Sequence, residues 1–388
     1  MNLLQKLGIA RRPPVRSERF FIAEVSPLAL PEDYPVLRTA PRPVERQEPG
    51  YAAEFDWTHL FYDIYWGADR LEMIGPPLRN LADFISPSHL TIDGQAFLSS
   101  VRTMPLADAE LTIVETEAQP QKLDFHTKGY QTNIVVQPSR AEVFSGARAI
   151  TTLSKDNRLE WIADWAEFHV RVHGVDAAVF YDNASSRYGV TELLDCLSSV
   201  KGLSAVAVVP WPYKYGPRGI PGNWDSSFCQ QVMIEHARRR FLREAAAMVN
   251  LDVDELIVTE DGASLFEHLD KSPSGALIYP GRWIDNVTTS RFLPPRHRRY
   301  RHYVPDGPLY LPKWTIVPSR LPETVATTIH RVFGDDFQPF QDPQILYRHF
   351  RAISTNWFYQ RTRRRPLRRS HKVDEAWVQL MRKIGWSR

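Results

Sequence analysis

From Ala147 to Asp252 short apolar runs alternate with amphipathic stretches, and this alternation constrains the fold more than any other feature of the 388-residue chain. "ARAITTL" reads as a strand, and "DNRLEWIADWAEFHVRVH" follows it with Leu159, Ile162, Ala166, Phe168 and Val172 in helical rhythm. "DAAVFYDN" is a second strand, "GVTELLDCLSSV" a second helix and "LSAVAVVPW" a third strand. "SSFCQQVMIEHARRRFLREAAA" is expected to be one long helix in which Cys229, Met233, Ala237, Phe241 and Ala245 recur every fourth residue, with its arginines largely on the other side. "MVNLD" closes the unit as a fourth strand. Strands alternating with helices predict an α/β fold: an open sheet with helical crossovers.

Residues 1–145 read differently. Segments such as "RFFIAEV", "RLEMIGPPL", "LTIVETE" and "TNIVVQP" are short, alternating and separated by Pro, Gly, Asn and Asp, which predicts strands and turns, a sandwich in arrangement. The length suits two domains. The expected division is a β-rich accessory domain over 1–145, an α/β domain over 146–360 and a basic tail over 361–388. The accessory part has no His, Cys or acidic cluster with ligand or triad spacing, so it is assigned no chemistry.

Two cysteines, Cys196 and Cys229, lie in apolar surroundings; they exclude a disulfide framework and read as core packing in a reducing compartment. No cleavable leader pattern and no run of about 18 apolar residues is present, so a cytoplasmic protein is expected. A net charge of +3 is too small to imply a general nucleic-acid role. The basic excess gathers instead in "RTRRRPLRRSHK", where seven of twelve residues are Arg or Lys. Without an aromatic platform this run points away from nucleic acid and toward solvent or peripheral contact with anionic lipid headgroups.

The acids in "AMVNLDVDELIVTEDG" are costly to desolvate beside an apolar strand unless something positive sits there. In an open α/β sheet ligands bind beyond the carboxyl ends of the strands, where Asp252 and Asp254 fall. Alternation along an extended backbone would turn Asp252 and Asp254 to one face and Val253 and Glu255 to the other. Two carboxylates so placed suit a hard cation, Mg2+ or Mn2+, which would neutralise a pyrophosphate leaving group.

"LEWIADWAEFHVRVHGVDAAVFYDNAS", the following "VVPWPY", the helix with Gln230 and "MVNLDVDELIV" together resemble glycosyltransferases of the GT-A fold, most closely the family 92-like group, over about residues 147–360. Leu256 stands where that group usually has an aromatic. The resemblance implies a Rossmann-like GT-A catalytic domain with a β-rich companion, a nucleotide-sugar donor of the UDP-sugar kind, a glycan or lipid-linked acceptor, and a place in surface polysaccharide biosynthesis. It implies that Asp254 is the main metal ligand, that Asp252 faces metal or ribose, and that His330 returns to the metal, with His349 its rival. Lys155, Asp156 and Asn157 after the first strand, and Asp182 and Asn183 after the second, would meet the nucleoside, and Lys313 and Arg351 the pyrophosphate. Inversion needs a base for the acceptor hydroxyl, and Asp285 beside Trp283 is preferred over Glu255. Trp224 and Asp225 are candidates for acceptor contact or a helix start.

Two other classes fit parts of the pattern. Haloacid-dehalogenase-like phosphohydrolases also place Asp-x-Asp after a strand with a later Lys, here Lys313, and a Gly-Asp-Asp, here 334–336; but their motif opens the domain, whereas about a hundred α/β residues precede this one. A carbohydrate-binding protein with a structural ion and tryptophan platforms is the non-catalytic reading.

Overall fold

The structure is a computed structural model that describes residues 17–96, 101–219, 224–287, 293–356 and 360–386. It is a mixed α/β structure with several sheets. Ten strands form the largest: β1 (Phe20–Ile22), β2 (Arg148–Ser154), β3 (Ala177–Asp182), β4 (Ala205–Pro210), β5 (Ala247–Asn250), β6 (Glu255–Thr259), β7 (Ala276–Ile284), β8 (Tyr310–Ile316), β9 (Phe340–Gln341) and β10 (Ile345–Phe350). Their order is β1-β4-β3-β2-β5-β8-β7-β10-β6, with β9 beside β7. The first five are mutually parallel. The helices α1 (Leu159–His173), α2 (Val190–Ser198) and α3 (Phe228–His236) are the crossovers; α4 (Leu265–Asp270) follows β6, and α5 (Glu375–Lys383) ends the chain.

The strands expected from continuous apolar runs form because both faces are covered. Ala178 and Phe180 of β3 and Val206 and Val208 of β4 enter one core with α1, α2 and α5, while Ala177, Val179, Tyr181, Ala205, Ala207 and Val209 enter a second core with α3. That second core also takes Tyr62, Tyr65, Ile74 and Leu111 from the N-terminal β-rich part. Side chains on both sides of residue 145 therefore share it, and β1 from the N-terminal part pairs directly with β4. A third core, with Leu71, Met73, Leu123 and Phe125, lies wholly within the β-rich part, among its five-stranded and three-stranded sheets.

The long helix expected over 226–247 is shorter. α3 passes into a π turn at Ala237–Phe241, and Arg238, Arg239 and Arg240, expected largely on a solvent face, are buried. The reason is a set of buried acids whose charge they meet. Glu235 takes Arg238 at 2.7 Å and Arg239 at 3.1 Å, and Asp63 of the β-rich part takes Arg240 at 2.6 Å and His236 at 2.7 Å. Helical periodicity sees polarity but not a partner 177 residues away.

β6 is an edge strand whose Ile257 backbone groups are met by α1. The Ile257 amide donates to His169 Nε2, and His173 Nε2 donates to the Ile257 carbonyl while its Nδ1 accepts from the Leu265 amide. His169 Nδ1 in turn donates to the Trp165 carbonyl. Both imidazoles must be neutral for this pattern, and burial lowers them to about 3 for His169, with help from His173, and about 4 for His173. Unfolded histidine takes its proton near pH 6.5, so below that pH the unfolded chain binds more protons than the native one. Stability is expected to be full above pH 6.5 and to fall by up to about 1.4 kcal/mol per pH unit for each histidine as pH drops toward the folded values. Urea unfolding at pH 7.5 and pH 5 measures this, and a His173→Gln variant should show a shallower dependence.

Candidate active site

β5 ends the parallel half of the sheet, held between β2 and β8, and the chain leaves it at Leu251. It does not continue extended. Asp252–Glu255 form a turn in which the Glu255 amide donates to the Asp252 carbonyl at 3.0 Å and the Asp252 amide donates to Glu255 Oε2 at 2.9 Å. Alternation therefore does not separate Glu255 from the other two acids, because it holds only for a straight strand.

What answers these acids is Lys313. It is fully buried on β8, with Nζ 2.9 Å from Asp252 Oδ2 and 3.3 Å from Glu255 Oε2. Burial disfavours its charge, but Asp252 and Glu255 outweigh burial and hold the ammonium above an ordinary lysine. Lys313 is thus paired with two acids inside the sheet.

The register across β6, β10 and β7 places Glu255, His349 and Trp283 side by side. His349 Nε2 lies 3.0 Å from Asp254 Oδ2, and His349 Nδ1 lies 3.8 Å from Glu255 Oε1. Asp254, Glu255 and His349 can each offer a ligand atom with all three within 4.8 Å of one another. Glu255 Oε1 and His349 Nδ1 are both buried without a hydrogen-bond partner among the described residues, an arrangement a cation would complete. Two carboxylates and an imidazole are a donor set for Mn2+ or Mg2+. Burial, against the pull of Lys313 and with the push of Asp252 and Asp254, holds the Glu255 carboxyl well above the usual range.

His330 stands near this group. Its Nδ1 donates to the Pro312 carbonyl at 2.9 Å, and burial, then the Lys313 charge, lowers it to about 4, so it is neutral. It is outside the three-residue cluster, and the rival His349 is within it. Trp283 stacks on His349 at 3.9 Å, with Tyr310 4.8 Å from the indole. The Arg351 guanidinium lies over the Trp283 ring at 4.0 Å from its centroid, and Arg361 reaches Asp254 at 3.4 Å.

Asp285 is buried beyond Trp283 with Arg351 at 3.0 Å, Arg365 at 3.3 Å and His371 at 3.3 Å. It ties the basic C-terminal strap to β7. The loops after β2 and β3 meet at the same sheet edge as the acids. Asp156, at φ +56°, accepts from the Ser186 and Arg187 amides, and Asn157 donates to Ser154. Lys155 is exposed on this rim. Asp182 accepts from the Ser185 amide and keeps one buried oxygen without a partner; burial raises its carboxyl. Asn183 has a structural task, donating to the carbonyls of Trp211 and Tyr213. Asp225 accepts from Arg42, and the α3 N-cap is Ser227. Asp335 and Asp336 of the Gly-Asp-Asp run are exposed on a turn.

No protein-family model matches the chain, and no curated protein matches it. Among solved structures it is similar to the apo structure of WbbM, a bifunctional glycosyltransferase, at 18% identity and a TM-score of 0.26. The likeness covers 43% of this chain and 27% of that one, so this chain spans less than a third of that neighbour. No helix among the described residues is long and apolar enough to cross a membrane.

Proposed function

We propose that the protein is a metal-dependent glycosyltransferase of GT-A type, similar to family 92, moving a sugar from a UDP-sugar or related donor to a glycan or lipid-linked acceptor in surface polysaccharide biosynthesis. The observation that carries this reading is the convergence of Asp254, Glu255 and His349 where the chain turns beyond β5, on the edge shared with the loops after β2 and β3. Mn2+ or Mg2+ held by these three would stabilise charge on the departing nucleoside diphosphate. The chain's own groups do the rest. Lys313 fixes the turn from behind, and Lys155, Asp156 and Asp182 form the nucleoside rim. Asp285, with His371 at 3.3 Å, is the candidate to take the acceptor proton in an inverting reaction once the acceptor displaces an arginine from it. The basic strap offers charge for peripheral contact with anionic lipid at the cytoplasmic face.

The test is nucleotide release from a panel of nucleotide sugars with and without manganese. Release from one donor class only when metal is present is expected, and Asp285→Asn should lose transfer to acceptor while keeping slow donor hydrolysis. If no donor is bound or hydrolysed the reading fails; phosphate release from simple phosphomonoesters would favour a phosphohydrolase.

A further inference from the structure

A cavity of 530 Å³ is built from residues other than those of the acid turn. Arg158, Arg187 and Arg364 line it together with Ser354, Thr355 and Asn356, and no carboxylate is among its described lining residues. Asp252, Asp254, Glu255, Lys313, His330 and His349 are likewise not part of it. Three arginines, from the loop after β2, the loop after β3 and the C-terminal strap, thus contribute to one wall, and guanidinium groups brought together in this way suit an anion. The N-terminal turn of α1 borders the same cavity, since its N-cap Arg158 and its third residue Trp161 are both in the wall. That helix has 15 residues and no side-chain cap, so its dipole adds to the positive field.

The cavity is joined to the acid turn through two short links. Ala352 in its wall follows Arg351, which lies over Trp283, and Thr362 follows Arg361, which reaches Asp254. Two wall residues are thus next in sequence to arginines that touch the candidate site. Leu293, also in the wall, is 57% exposed and offers an apolar exit from a positively charged pocket.

Resting on the glycosyltransferase reading, we infer that this cavity holds a phosphate group of the acceptor, through the guanidinium groups of Arg158, Arg187 and Arg364 and the hydroxyls of Ser354 and Thr355. The acceptor is thus a phosphate ester, either a soluble sugar phosphate or a lipid phosphate whose chain leaves across Leu293. Guanidinium forks match phosphate oxygens two at a time, which ammonium groups do not.

The experiment titrates the full-length protein with inorganic phosphate and with a sugar 1-phosphate, and in a parallel arm floats it with neutral-lipid vesicles with and without a polyisoprenyl phosphate. Wild type is expected to bind inorganic phosphate, and Arg158→Gln/Arg187→Gln, both at exposed positions, to bind it about tenfold or more weakly with an unchanged circular dichroism spectrum. Tighter binding of the sugar phosphate assigns a soluble acceptor, and flotation that requires the polyisoprenyl phosphate assigns a lipid one. Equal phosphate binding by wild type and the double variant overturns the inference. So does stoichiometric displacement of phosphate by UDP with manganese, which would give the cavity to the donor. None of these readouts uses a nucleotide sugar. Phosphate binding without donor turnover would sink the glycosyltransferase reading alone, and turnover without phosphate binding would sink the cavity alone.

Discussion

Asp254→Asn is expected to leave the protein folded and to lower manganese-dependent nucleotide release by about 100-fold or more, since even groups that only support a metal ligand are worth 10–100-fold. The substitution keeps the side-chain volume and removes the charge. In the free protein Asp254 is met by His349 at 3.0 Å and Arg361 at 3.4 Å, and neither is left in an apolar void by an amide. The loss should therefore appear in metal titrations and scarcely in the melting curve. His349→Ala should act in the same direction. Asp252→Asn should differ, because Asp252 is paired with Lys313 and stands outside the cluster of Asp254, Glu255 and His349. Activation by manganese that survives unchanged in both Asp254→Asn and His349→Ala would remove the metal from the reading.

Which parts of this site are legible in the sequence follows from what local patterns encode. β3 and β4 are continuous apolar runs, and α1 and α2 keep the helical rhythm, so those elements stand where the pattern puts them. Asp252 and Asp254 mark a strand end, and the chain does leave β5 just before them. The turn is what the pattern conceals. "NLDVDELIV" has no Gly or Pro to announce a break, and the reversal is closed by the side chain of Glu255 on its own backbone neighbour. Once the turn is missed, alternation sends Glu255 the wrong way.

The remaining partners come from far along the chain. His349 reaches Asp254 across 95 positions because β10 pairs with β6, and Lys313 reaches Asp252 across 61 because β8 pairs with β5. Register of this kind is set by sheet packing and leaves no local trace. Arg361 is hidden in another way: it opens a basic run whose composition reads as solvated, while its own guanidinium turns in toward Asp254. The buried arginines of the π turn make the same point, since Asp63 and Glu235 decide their place.

Lys313→Met is expected to cost about 3–5 kcal/mol of stability, the usual result when one member of a buried ion pair is removed and the other is left. Methionine fills the same channel, so the cost is electrostatic. Lys313 and Glu255 are both fully buried and 3.3 Å apart, and Asp252, with its side chain 37% exposed, shares the charge more cheaply. Without the ammonium, Asp252 and Glu255 lose their shared counter-charge, and the Glu255 carboxyl, already raised by burial and its acidic neighbours, is pushed up further. Two further measurements separate this account from simple misfolding. Adding Glu255→Gln to Lys313→Met removes the buried acid left without its partner and should recover a large part of the loss, because replacing both partners of a buried pair is far milder than breaking it. Manganese, supplying positive charge at Asp254, Glu255 and His349, should raise the melting temperature of Lys313→Met by more than it raises that of wild type. If urea unfolding places Lys313→Met within about 0.5 kcal/mol of wild type, the range of ordinary surface substitutions, the lysine is not what makes three acids tolerable at this turn.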